Sequence, residues 1–86
     1  MDAYIMIHTE PGTAALVRSL IADLDGVARV DRVIGQYDLV VRICGDDSED
    51  LPVTTLREVQ QVPGVARTLT CPVLHIRRAS PVPAAV

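Results

Sequence analysis

Four side chains in this sequence have the chemistry to hold a metal: His8, His75, Cys44 and Cys71. Strand parity can bring such residues onto one sheet face. None of them, however, stands in a C-x-x-C or H-x-x-x-H spacing that would present two ligands from one segment. No metal site and no cofactor is expected, and the two cysteines read as separate thiols that pack as small apolar groups. Nucleophilic catalysis needs a Ser-His-Asp or Cys-His pairing, and no such pairing assembles from the positions present. The acids of Gly45-Asp46-Asp47-Ser48-Glu49-Asp50 stand where a helix is expected to open. They read as a solvated helix start rather than a cation site. Arg77-Arg78-Ala79-Ser80 has the look of a kinase site, but a basic pair in a terminal segment is the simpler description. That leaves Gly35-Gln36-Tyr37-Asp38, a polar stretch with an amide, a phenol and a carboxylate between two apolar runs. These are also ordinary hairpin-turn residues.

The elements that must position these groups follow from periodicity. Ala3 to Thr9 alternates as a strand, with Ala3, Ile5 and Ile7 on one side and Tyr4, Met6 and His8 on the other. From Thr13 to Leu24, the residues Val17, Leu20, Ile21 and Leu24 recur along one helical stripe. Val27 to Ile34 and Leu39 to Cys44 read as strands whose short connection at 35–38 makes them an antiparallel hairpin. A second helix is expected to open in the acidic run, with Asp47 or Ser48 as its cap and Pro52 in its first turn. It should continue to about Gln61 with Leu51, Thr55, Val59 and Val62 on its stripe. Ala66 to about Ile76 reads as a fourth strand, and Pro72 within it argues for an edge position or a bulge.

The order is β-α-β-β-α-β, and the tetrapeptide Gly-Val-Ala-Arg occurs twice in it, at 26–29 and 64–67. Each copy falls where a helix stops and a strand starts, so the repeat marks the joint of two β-α-β halves. Its glycine is the expected left-handed helix terminator. Right-handed crossovers interlock the halves as a ferredoxin-like α+β fold, a four-stranded antiparallel sheet of order 4-1-3-2 with both helices on one face. The other face is left bare, with Tyr4, Met6, Val40, Cys44, Leu69, Cys71 and Val73 forming an apolar surface that calls for a second copy of the chain.

The totals agree with one thin-cored domain. The chain has 86 residues, is 49% hydrophobic, and contains neither Phe nor Trp. We expect the domain to span 1–77, with 78–86 as a flexible tail. Eight arginines, no lysine and a net charge of −3 offer no basic track for a phosphate backbone, so direct nucleic-acid binding is not expected. No leader or apolar run suited to a membrane stands in the sequence, and a cytoplasmic protein is expected.

The element order, the phrase GQYDLVVRI and the phrase VPGVARTLTCPVLHI together resemble the ligand-binding (RAM) domain of the Lrp/AsnC family of transcriptional regulators. The resemblance covers about residues 3–76. Its more specific parts are G-x-Y-D between the second and third strands and G-V-x-x-T-x-T leading into the fourth. It implies a stand-alone member without the helix-turn-helix domain. Such domains pair sheet to sheet into a dimeric α/β barrel, dimers join into higher oligomers, and an amino-acid effector is held between dimers. Full-length Lrp/AsnC regulators are the implied partners. By the same resemblance, Gly35 lets the backbone approach the effector, Gln36 and Tyr37 stand beside it, Asp38 accepts from its ammonium, and Thr68 and Thr70 donate hydroxyls. A second reading shares the fold: a small cofactor-independent enzyme of the dimeric α+β barrel type. That enzyme would need a polar base, His8 or His75, in a closed pocket between sheet and helices.

Overall fold

The computed structural model describes residues 1–46 and 50–74. Its elements are β1 (Ala3–Thr9), α1 (Ala14–Ala22), β2 (Val27–Arg32), β3 (Leu39–Ile43), α2 (Val53–Gln60) and β4 (Val65–Pro72). The strands form one antiparallel sheet of order β2-β3-β1-β4, the expected order read from its other edge.

Strand parity decides the core. Ala3, Ile5 and Ile7 of β1, Val30 of β2, and Leu39, Val41 and Ile43 of β3 are buried, and they meet Val17 and Ile21 of α1 and Val59 of α2. Both helices therefore cover the same face. Each Ile, Leu or Val fully removed from water contributes about 1.5–3 kcal/mol, so the hydrophobic stabilisation of the chain is concentrated on that one side.

The bare face carries the residues of opposite parity. Met6 lies between Val40 of β3 and Leu69 of β4 in register, and Tyr4 lies between Arg42 and Cys71. Arg42 interrupts the surface that the sequence suggested was apolar. Its guanidinium pairs with Asp2 at 3.1 Å, donates to the Tyr4 hydroxyl and stands 5.1 Å from the centre of that ring. The cation is thus neutralised and covered from within the same chain.

The two Gly-Val-Ala-Arg copies hold equivalent joints. Gly26 and Gly64 both have positive φ, at 88° and 98°. Each follows one helix and touches the other: a Cβ at Gly26 would lie 2.7 Å from Thr55 Oγ1, and one at Gly64 would lie 2.6 Å from Val17 Cγ2. Each carbonyl closes the end of a strand from the other half, Gly64 accepting from Glu10 N–H just past β1 at 2.7 Å and Gly26 from Cys44 N–H just past β3 at 3.0 Å.

Two expectations are corrected. α2 does not open in the acidic run: Pro52 is its N-cap residue and its first turn contains no acid, because the ring imposes its φ ahead of Val53 and supplies no N–H. β2 stops at Arg32, short of Ile34, where Val33 N–H donates to Asp38 O at 2.9 Å to close the hairpin and Ile34 turns fully outward. Pro72 ends β4, which is an edge strand. The expected caps Asp47 and Ser48, the strand end at His75 and Ile76, and the 78–86 tail lie outside the described residues.

Candidate functional site

The polar groups converge at the end of the sheet where the β2–β3 turn passes the finish of β1 and the start of β4. Asp38 N–H donates to Ile7 O at 2.8 Å, tying the turn to β1. Gly35 bends the turn at φ 137°, a value an L-residue rarely adopts. The turn then faces β4 across a cleft of about 480 Å³ lined by Gln36, Tyr37, Arg67, Thr68 and Leu69. Of the six residues singled out in the sequence, Gln36, Tyr37 and Thr68 share this cleft. Thr70 stands two residues further along β4, opposite Ile5, and does not line it.

Asp38 lines a different cleft, of about 510 Å³, with His8, Thr9, Gly12, Ala15 and Arg32 among its walls. There its Oδ2 accepts from the Thr9 backbone N–H at 2.8 Å and from the Thr9 hydroxyl at 3.0 Å. His8 Nδ1, shielded from solvent and otherwise unpartnered, lies 3.4 Å from the same oxygen, too long for a well-formed hydrogen bond. The two Thr9 bonds, first the backbone one, hold the Asp38 pKa below the ordinary aspartate value, with smaller help from His8 and Arg32.

That direction has a testable sign. A carboxyl whose folded pKa is depressed adds stability above its unfolded value of about 3.9 and loses it as pH falls through the folded value. We expect Asp38→Asn to lower the thermal midpoint near neutrality, and the gap from wild type to close as pH drops below about 4. A gap that stays constant across a thermal-denaturation series in pH would show that the Asp38 charge has no part in holding the turn.

Sequence reasoning missed two residues here. Thr9 anchors Asp38 from 29 positions away, a pairing only the fold reveals. Arg67 lines the cleft with Thr68, although the Gly-Val-Ala-Arg repeat had suggested only a structural joint. The enzyme reading meets a specific geometry as well. The space between sheet and helices is filled with aliphatic side chains, Thr9 is the buried polar residue among those described, and His8 points to the opposite face from Ile7. His75 lies outside the described residues. Cys44 and Cys71 are both exposed and form no disulfide, Cys44 just past β3 and Cys71 on β4, with β1 between those strands. Among the described residues, no group of three His, Cys, Asp or Glu side chains is placed to hold a metal, and no helix is long and apolar enough to cross a membrane.

The model of the Lrp/AsnC ligand binding domain matches residues 2–82 of the chain. The chain belongs to this family. Among solved structures, TTHA0845 from Thermus thermophilus is 32% identical, with a TM-score of 0.71 over 94% of this chain and 98% of that one. Hypothetical protein PHS023 from Pyrococcus horikoshii is 25% identical, with a TM-score of 0.72 over 86% and 90%. E. coli AsnC, at 16% identity, shares the fold with a TM-score of 0.75 over 94% of this chain and 55% of its own. A search of curated proteins finds no match. A ligand-binding domain of the Lrp/AsnC type supports a regulatory sensing role.

Proposed function

We propose that this Lrp/AsnC domain senses an amino acid at the end of its sheet. In this reading it works as a cytoplasmic homodimer, joined into a higher oligomer, and modulates transcription through a DNA-binding regulator of its own family. The observation that carries the reading is the cleft across which Gln36 and Tyr37 of the turn face Arg67, Thr68 and Leu69 of β4. An amino acid needs donors and acceptors for its polar groups and a variable wall for its side chain. The cleft supplies an amide, the Tyr37 hydroxyl and a guanidinium beside Leu69 and the Tyr37 ring, with the Thr68 hydroxyl on the helix side of β4. Gly35 lets the turn close over it. Asp38 serves the site by fixing, through Thr9, where the turn stands. Thr70 extends the polar side of β4 toward the middle of the strand.

The test is a thermal-shift screen of the purified protein against the twenty amino acids. A ligand present at a hundred times its dissociation constant stabilises the native state by about 2.7 kcal/mol. For a domain of this size each kcal/mol raises the midpoint by roughly 4–8 °C, so a true effector should shift it by about 10 °C or more. No shift with any of the twenty would remove the sensing reading.

A further inference from the structure

The repeated Gly-Val-Ala-Arg leaves its two arginines in opposite conditions. Arg29, in the first copy, has Asp31 two residues along β2, and their side chains form an ion pair at 2.7 Å. Arg67, in the second copy, has Leu69 at the corresponding position, and among the described residues it makes no ion pair. Arg42 is engaged with Asp2 and Tyr4, and Arg18 donates to the Val30 carbonyl at 3.3 Å. Arg67 is exposed, and it lines the cleft that also holds Gln36, Tyr37, Thr68 and Leu69.

We propose that Arg67 binds the carboxylate of the effector in this cleft, and that the cleft accepts aliphatic 2-oxo carboxylates as readily as the matching 2-amino ones. The inference rests on the sensing reading above and specifies its ligand class. A guanidinium presents its donors in a planar fork that matches a carboxylate, and an unpaired one facing a cleft is the natural anchor for it. Thr68 borders the cleft from the helix side of β4, where it is the register partner of Ile7 and its oxygen accepts weakly from Gln60 Nε2 of α2 at 3.5 Å, so the carboxylate falls to Arg67 alone. Leu69 and the Tyr37 ring form the apolar wall, so an aliphatic substituent fits them.

The indifference to the 2-substituent follows from what lines the cleft. Among the described residues that line it, none is an acid that would select an ammonium. The nearest carboxylate of the turn, Asp38, is on the other side of His8: His8 is the register partner of Arg67 on one side and lies 3.4 Å from Asp38 on the other. With neighbouring strands about 4.8 Å apart, the backbones of Asp38 and Arg67 are roughly 10 Å apart. Asp38 Oδ2 is moreover committed to Thr9. The 2-substituent of a carboxylate seated on Arg67 therefore meets the Gln36 amide and the Tyr37 hydroxyl, which donate and accept, and serve a carbonyl oxygen as well as an ammonium.

Calorimetric titration of wild type, Arg67→Gln and Arg67→Lys with L-valine, 3-methyl-2-oxobutanoate and L-valinamide tests this directly. Wild type should bind the first two within about threefold of each other and valinamide at least tenfold more weakly. Arg67→Gln should weaken both carboxylates by about tenfold to a hundredfold, as expected for loss of a charge-assisted pair, and Arg67→Lys should fall between. Circular dichroism should show both variants folded. Valinamide binding like valine, Arg67→Gln binding like wild type, or neither carboxylate binding would each overturn the anchor. Valine binding without the oxo acid would show that an ammonium is read after all. If instead no amino acid shifts the thermal midpoint, the sensing reading itself has failed.

Discussion

Gly64→Ala should be among the most damaging single-methyl additions in this protein, lowering stability by about 2–5 kcal/mol. Two costs add. An L-residue held at left-handed φ costs about 1–2 kcal/mol, and forcing a methyl group into filled space costs about 1–3 more. The second cost is real here because the new Cβ would meet Val17 Cγ2 at 2.6 Å and Thr13 Oγ1 at 3.0 Å, and Val17 is fully buried in the core. Gly26→Ala should cost less. There the near atom is the Thr55 hydroxyl, which can rotate away at the expense of its 3.2 Å bond to the Asp25 carbonyl. Urea denaturation of both variants measures the order. A double-mutant cycle of Gly64→Ala with Val17→Ala then isolates the clash with Val17, since removing the valine methyls leaves the backbone cost and the looser contact with Thr13. Equal losses at Gly26 and Gly64, or no coupling to Val17, would mean that the repeat merely caps helices and does not lock them together.

That contact also shows where sequence reading succeeds and stops. The two glycines were legible as helix terminators because capping is a local property of the backbone. Their reciprocal packing, Gly26 on Thr55 and Gly64 on Val17, was not, because it depends on how the two halves cross. The alternation of β1 and the hairpin before β3 were legible for the same local reason: parity is written residue by residue. α2 was misjudged at its start because the acids before Pro52 satisfy composition rules for a helix opening, while the constraint that decides, the proline ring, lies beyond them in the chain. In the candidate site the turn was visible as a polar interruption. Arg67 was hidden in a motif with a sufficient structural explanation, and only comparison of its surroundings with those of Arg29 separates the two copies. Arg42 was hidden because parity assigns a face and says nothing of whether a charge on it is already paired.

The bare sheet face leads to the other large effect. Met6→Asp should convert the proposed sheet-to-sheet dimer into a folded monomer. Met6 stands in register between Val40 and Leu69, at the middle of the face that the helices leave uncovered. In a single chain it is only half-buried, so a carboxylate there keeps contact with water and the aliphatic core behind the sheet is untouched. In a sheet-to-sheet dimer the same carboxylate would be desolvated twice, once from each copy. An unpaired buried ion costs several kcal/mol, and each 1.4 kcal/mol is about tenfold in the dissociation constant, so the dimer should weaken by about a thousandfold or more. Arg42 gives that acid no rescue within its own chain, because its guanidinium is already held by Asp2 and Tyr4. Light scattering at micromolar concentration, with circular dichroism as the check on folding, reads the outcome, and Met6→Leu should leave the dimer intact because it keeps the volume and the apolar character. A wild-type monomer under those conditions would refute sheet-to-sheet pairing, and a Met6→Asp protein that remains a dimer would move the interface elsewhere on the molecule.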